Sequence, residues 1–176
     1  YVALADITEL EAYLQCMPLR PQQQVDIIEL FGGAAGVLKM CLHRGYTGGP
    51  NFDLVCGINL EIESHLEAYF GYLHKYKPKV VIMAPPCTML CGLAQIFGFQ
   101  WKDFQSKLRS AHRTARIGAA AAEVQIAGNR DFLCENPQRS GRWRLSFWKK
   151  LVPKLPFAVV DQCACGLQTP QGEFLM

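Results

Sequence analysis

Short apolar runs alternate along this chain with longer amphipathic stretches. The runs over residues 25–30 and 79–84 are rich in β-branched side chains, as in strands that are covered on both faces. Alternation of strands with helices predicts an α/β fold with a doubly wound, mainly parallel sheet of the Rossmann-like kind. Further strands are predicted within residues 52–59, 131–134 and 157–163, and helices over residues 7–16, 37–44, 61–76, 104–129 and 145–152.

A glycine turn over residues 32–36 follows the first predicted strand. Strand, glycine turn and helix form the first unit of nucleotide-binding α/β folds, in which glycine lets the backbone approach the ligand. No Gly-Lys-Ser/Thr follows, which disfavours phosphate transfer. Asp53 lies about 20 residues beyond the turn, where an acidic side chain binds ribose hydroxyls in such folds. An ordinary loop position explains Asp53 equally well. Residues 48–50, Gly-Gly-Pro, are predicted to form a loop.

Two chemically reactive side chains are predicted at strand ends. Pro85 and Pro86 stop the strand over residues 79–84 and present Cys87, while the strand over residues 131–134 presents Glu135 in the same way. Ligands of open parallel sheets bind at this carboxyl edge. A thiol and a carboxylic acid there supply a nucleophile and an acid. Glu135 is also consistent with a simple helix-capping role.

The composition indicates one globular domain in a reducing compartment. The chain has 176 residues and half of them are hydrophobic, and no apolar run reaches the length of a membrane span. The eight cysteines lack the paired spacing of a zinc site, so no metal is predicted, and free thiols favour an intracellular location, nuclear if the source is eukaryotic. Residues 1–24 are predicted to be a helix with a Pro-rich linker. Residues 25–176 are predicted to be the catalytic domain, incomplete at its C-terminus and part of a longer polypeptide.

Three segments in order resemble the motifs of the cytosine-5 DNA methyltransferases, and a fourth stands at the place of a further family motif. ELFGGAAG (residues 29–36) is similar to their cofactor motif, and APPCT (residues 84–88) to their Pro-Cys nucleophile motif. CENP (residues 134–137) is similar to their Glu-Asn motif, and VVDQCACG (residues 159–166) stands where they have a Gln-x-Arg-x-Arg strand. The chain most resembles a divergent branch in retroelement and phage-like polyproteins, which has a similar GPNFDL, MAPPCT and ENP series.

The resemblance implies an S-adenosylmethionine methyltransferase fold without a target-recognition domain, and a DNA substrate. Cys87 would attack C6 of a cytosine flipped out of the duplex, and Glu135 would contact N3. Either Asp53 or Glu61 would bind the cofactor ribose or adenine. The full set of implied catalytic residues is Cys87, Glu135, Pro86, Asn136 and Gln162, and that of cofactor-binding residues is Phe31, Gly32, Gly33, Gly36, Asp53, Glu61 and Pro85.

A basic, tryptophan-containing segment follows the Glu-Asn motif. Its cations are interleaved with Trp143 and Trp148, which is typical of a contact with the DNA backbone. A solvated helix face is the other explanation of such a cluster. The predicted DNA-contacting residues are Arg139, Arg142, Arg144, Lys149 and Lys150.

Two other functions stay open. Ala164 and Gly166 stand where the family has arginines, which favours a catalytically inactive relative that binds DNA or cofactor within a polyprotein. The second alternative is an unrelated Cys-dependent α/β enzyme such as a thiol hydrolase. It would need a histidine near Cys87, and none is predicted at a strand end.

Overall fold

The computed structural model describes residues 24–97, 100 and 102–160. Their centre is a sheet of four strands, all parallel, in the order β2-β1-β3-β4. The order places β1 and β3 in the middle, so the chain winds outward from β1 in both directions. The strands are β1 (Ile27–Leu30), β2 (Gly48–Phe52), β3 (Val80–Met83) and β4 (Asp131–Cys134).

Helices connect these strands and follow the last one. The longest, α4, runs between β3 and β4 and contributes a row of buried alanines to the core. Short 3-10 turns follow β2, β3 and β4. Among the described residues, no helix combines the length and the apolar character that crossing a bilayer requires. The helices are α1 (Gly36–His43), α2 (Glu63–Tyr76), α3 (Gly92–Phe97), α4 (Phe104–Ala127) and α5 (Ser146–Leu151).

The sheet carries helices on both faces. On one face, the backbone of Leu38 in α1 donates to Glu29 of β1. On the opposite face, Phe52 packs edge-to-face against Tyr69 of α2, with ring centroids 4.7 Å apart. Met83 of β3 lies on this second face, below α4. This arrangement confirms the predicted α/β class with a parallel sheet and is compatible with a Rossmann-like fold.

Strand β2 corrects the sequence prediction of a loop at residues 48–50. Gly48 and Gly49 lie in the strand because other side chains occupy the space that their own would need. A Cβ at Gly49 would lie 2.6 Å from Oη of Tyr72. Pro50 is tolerated because β2 is an edge strand of the described sheet. The strand that was predicted within residues 52–59 therefore lies earlier and ends at Phe52.

The remaining predicted elements agree with the structure to different extents. The strand over residues 131–134 is confirmed, and the helices predicted over residues 37–44, 61–76, 104–129 and 145–152 are present with small shifts at their ends. Residues 157–160 have no regular secondary structure, so the predicted last strand does not begin at residue 157. Its remainder lies outside the described residues, as do the predicted helix over residues 7–16 and Gln162.

Candidate functional site

The four strands end at the same edge of the sheet. Leu30 is aligned with both Phe52 and Met83, and Met83 is aligned with Cys134. The backbone ladder continues one residue further, since Ala84 N donates to Leu30 O at 3.2 Å and Glu135 N donates to Met83 O at 2.9 Å. The structure thus brings Cys87 and Glu135 to neighbouring strand ends, as predicted. The residues that follow the aligned positions are Phe31, Asp53, Ala84 and Glu135.

The proline loop before Cys87 is held from the segment that follows β4. Asn136 Nδ2 donates to the carbonyl of Pro85 at 2.9 Å. Arg142 Nη2 donates to the carbonyl of Pro86 at 3.2 Å. Pro85 is buried, Pro86 is exposed and Cys87 is half-buried. Two side chains from the loop that carries Glu135 therefore fix the position of the loop that carries the thiol.

The glycine turn is held by two polar side chains near the end of β2. Asn51 accepts from the Gly32 amide at 3.3 Å and donates to the Gly33 carbonyl at 2.9 Å. Asp53 accepts from the Gly33 amide at 3.1 Å and from the Val55 amide at 2.8 Å. Asp53 therefore lies at the glycine turn, and its predicted role as the ribose or adenine partner stays a prediction. Its carboxylate retains lone pairs for a further donor.

Three non-helical positions give the turn its shape. Gly33 has a φ of +52°, the left-handed region that glycine enters most easily. Phe31 and Ala35 adopt φ values of 59° and 56° in the same region. A Cβ built at Gly33 or at Gly36 meets no atom within 4 Å. Gly33 and Gly36 therefore border open space, whereas a Cβ at Gly32, the third predicted cofactor-binding glycine, would lie 2.5 Å from Oε2 of Glu29.

Glu29 caps the amino end of α1 from inside the protein. Its Oε1 accepts from the Leu38 amide at 3.0 Å, whereas its buried Oε2 has no partner among the described residues. Burial raises the pKa of Glu29, and the backbone amides of Leu38 and Val37 oppose the rise. A carboxyl group thus stands where a helix amino end would hold a phosphate. This agrees with the absence of a phosphate-binding motif from the sequence.

Replacement of Glu29 by glutamine is expected to change the pH dependence of stability. A carboxyl whose folded pKa is raised above the ordinary value of 4.5 contributes stability at lower pH, which is lost as the pH rises through the folded pKa. The free energy of unfolding of the wild type should therefore fall relative to that of Glu29→Gln as the pH rises above 4.5. Urea unfolding of both proteins across this range measures the difference, and a difference that stays flat contradicts the prediction.

Glu61, the other acid predicted to bind the cofactor, lies beside α4 and not at the glycine turn. Its carboxylate accepts a hydrogen bond from the hydroxyl of Ser110 in α4. Its side chain is exposed. The structure therefore brings Asp53 to the glycine turn and ties Glu61 to α4.

The predicted DNA-contacting cluster is only partly at the surface. Arg142 is 0% exposed, so its predicted role as a DNA backbone contact is wrong. The segment folds back at Trp148, which is buried and donates from Nε1 to the Ala115 carbonyl at 2.9 Å. Trp143 packs edge-to-face on Trp148, so both rings take part in packing. The exposed cations of the cluster are Arg139, Arg144, Lys149 and Lys150.

Two cavities lie between the 3-10 turn after Cys87 and α4. The larger has a volume of about 350 Å³, with His112 and Arg144 as its polar lining and apolar side chains around them. The second, of about 280 Å³, is lined by Pro86, Thr88 and Lys107 among others. Neither cavity is lined by Cys87, by Glu135 or by a residue of the glycine turn, so neither is a single pocket that brings the three together.

Sequence reasoning missed three buried polar residues at this edge. Glu29 and Asn51 stand within the segments ELFGGAAG and GPNFDL, where their polarity inside strands was the available signal. Arg142 was counted with its exposed neighbours, because the sequence carries no sign that this cation alone turns inward.

Comparison with known proteins does not add to this description. No family model, no curated protein and no solved structure matches the chain.

Proposed function

We propose that this chain is an S-adenosylmethionine-dependent DNA (cytosine-5) methyltransferase-like domain. The observation that carries the proposal is the position of Cys87 and Glu135 after adjacent parallel strands, β3 and β4. The glycine turn after β1 lies at the same edge of the sheet. A nucleophile, an acid and a turn suited to a cofactor are the parts that this reaction requires.

The residues around the glycine turn suit S-adenosylmethionine. The ligand has hydroxyl and ammonium donors, a positive sulfonium and no phosphate. Asp53 offers a carboxylate with lone pairs to spare, and the carboxyl group of Glu29 occupies the phosphate position at the start of α1. Gly33 and Gly36 leave space for the ligand. When bound, S-adenosylmethionine supplies the methyl group, with Phe31, Gly32 and Pro85 as further contacts.

The side chains of this chain would act on the base as follows. The Cys87 thiolate forms a bond to C6 of cytosine while Glu135 donates a proton to N3, which stabilises the negative charge that moves into the ring. C5 accepts the methyl group. Water takes the C5 proton, the bond from Cys87 to C6 breaks and releases the thiolate, and N3 returns its proton to Glu135, which restores the ring. Asn136 holds the proline loop so that the thiol meets the base.

Binding of S-adenosylmethionine is expected to be lost in the variant Gly33→Val. The new side chain enters the open space beside the turn, where backbone must approach the ligand. Isothermal titration should show heat of binding for the wild type and none for the variant. This titration uses the cofactor without DNA, so it does not depend on the residues that are proposed to contact DNA, which are Arg139, Arg144, Lys149 and Lys150.

Gly45→Val is a matched control for backbone strain. Gly45 also has a left-handed φ, +84°, and also faces open space, but it follows the carboxyl end of α1. Valine costs at least about 1–2 kcal/mol of strain at either position, so both variants lose stability while only Gly33→Val should lose binding. Equal binding by the wild type and Gly33→Val, or absence of binding by the wild type, contradicts the cofactor assignment. Binding of cofactor and DNA without methyl transfer would identify the inactive relative.

A further inference from the structure

Arg142 is a buried cation without a full set of partners. Its side chain is 0% exposed, yet only Nη2 has a hydrogen bond, to the Pro86 carbonyl. Nε and Nη1 are buried and have no hydrogen-bond partner among the residues that the structure describes. The ion pairs of the described residues join Lys79 to Asp26 and Arg113 to Glu63, so Arg142 forms none. Burial of an unpaired charge is unfavourable, which suggests that a neighbouring group becomes its anion.

Three groups lie close enough to affect the charge on Arg142. Burial lowers the pKa of Arg142. Negative charge on three neighbouring groups would oppose this decrease, and in decreasing order of effect they are Cys134, Cys87 and Glu135. Cys134 is an unsuitable anion, because burial raises its pKa to about 12 despite the guanidinium. Glu135 is exposed to solvent, which screens its charge. Cys87 is half-buried and follows Pro86, whose carbonyl Arg142 binds.

We propose that Arg142 is the positioning residue of Cys87: it holds the proline loop through Pro86 and stabilises the Cys87 thiolate with its buried positive charge. The proposal deepens the proposed function, in which Cys87 attacks the base. Electrostatic stabilisation is mutual, so a guanidinium that lacks an anion favours ionisation of the thiol beside it.

Other titratable groups around the Cys87 loop can be tested separately. Glu135 and Cys134 approach from the end of β4. Two further groups approach from α4. Lys107 lines the smaller cavity together with Pro86 and Thr88. His112 lines the larger cavity together with Leu90. A positive charge on either α4 residue would also favour thiolate. The test therefore needs variants of these residues as well as of Arg142.

Alkylation by iodoacetamide tests the proposal without cofactor or DNA. The Cys87 thiolate forms a carbon–sulfur bond as iodide leaves, and peptide mass spectrometry measures the rate for each cysteine across pH. Arg142→Met should slow alkylation of Cys87 near neutral pH about tenfold, the effect of moving the ionisation by one pH unit, and should move the rate profile to higher pH. Arg142→Lys, which retains the charge, should restore most of the rate.

The controls separate charge from loop position. Asn136→Ala removes the other hydrogen bond to the proline loop, at Pro85, without a change of charge, and should leave the pH profile in place. Lys107→Met and His112→Gln should likewise leave the pH profile of Cys87 alkylation in place. A wild-type profile in Arg142→Met overturns the proposal, and so does a change in rate that is equal at every pH. If Arg142→Met does not fold, the alkylation rates of the wild type test the proposal. The rate profile of Cys87 should then lie at lower pH than that of the half-buried Cys41 of α1, and the opposite order overturns the proposal. Loss of cofactor binding would affect the proposed function and leave this result unchanged.

Discussion

Substitution of Cys87 by serine is expected to abolish a covalent adduct between this chain and DNA that contains 5-fluorocytosine. In the proposed reaction the thiol is bonded to C6 until a proton leaves C5. Fluorine at C5 cannot leave as a proton does, so the wild type should stay attached to the DNA in the presence of S-adenosylmethionine. A hydroxyl is far less ionised than a thiol near neutral pH, so Cys87→Ser should form no adduct.

The adduct is measured as a band of reduced mobility on a denaturing gel. Cys91→Ser and Cys134→Ser serve as controls. Cys91 lies four residues after Cys87 and is also half-buried. The thiol of Cys134 is kept neutral by burial, which raises its pKa to about 12. Both variants should form the adduct. An adduct in Cys87→Ser contradicts the assignment of the nucleophile, and absence of an adduct in the wild type with cofactor and DNA bound supports the inactive relative.

Truncation of Trp148 to alanine is expected to lower the free energy of unfolding by about 3–5 kcal/mol, as for other large core side chains. Trp148 is 1% exposed and packs between Trp143 and α4. The variant leaves a cavity and also leaves the Ala115 carbonyl without its donor. The same packing anchors the segment that carries Arg142, so loss of Trp148 should also disturb the contact with the Pro86 carbonyl.

Urea unfolding measures this change, and Trp148→Phe separates its two causes. Phenylalanine retains most of the volume but cannot donate to the Ala115 carbonyl, so this variant should lose about 1–3 kcal/mol, the cost of an unsatisfied buried acceptor together with a small cavity. Lys149→Ala, at the exposed neighbouring position, should change the free energy of unfolding by less than about 0.5 kcal/mol. A loss of under about 1 kcal/mol in Trp148→Ala would show that α5 is not part of the core.

Strands with strong apolar runs were predictable because burial on both faces leaves a continuous apolar signature. This holds for β1 and β3. Strand β2 was not predictable in the same way, since Gly48, Gly49 and Pro50 have low strand propensity. Only the side chains of Leu38, Leu42 and Tyr72, which fill the space above the glycines, make an extended backbone suitable there.

The sequence by itself determined the α/β class, and it identified Cys87, Glu135 and the glycine turn as strand-end features, because strand ends are marked by local breaks of pattern such as Pro85-Pro86. Tertiary structure alone decided which polar groups turn inward. Arg142 has the same local sequence character as Arg144, yet the first is buried beneath the proline loop and the second is exposed. Side-chain burial depends on contacts between segments that are distant in sequence, here residues 86 and 142, and local periodicity carries no information about such contacts.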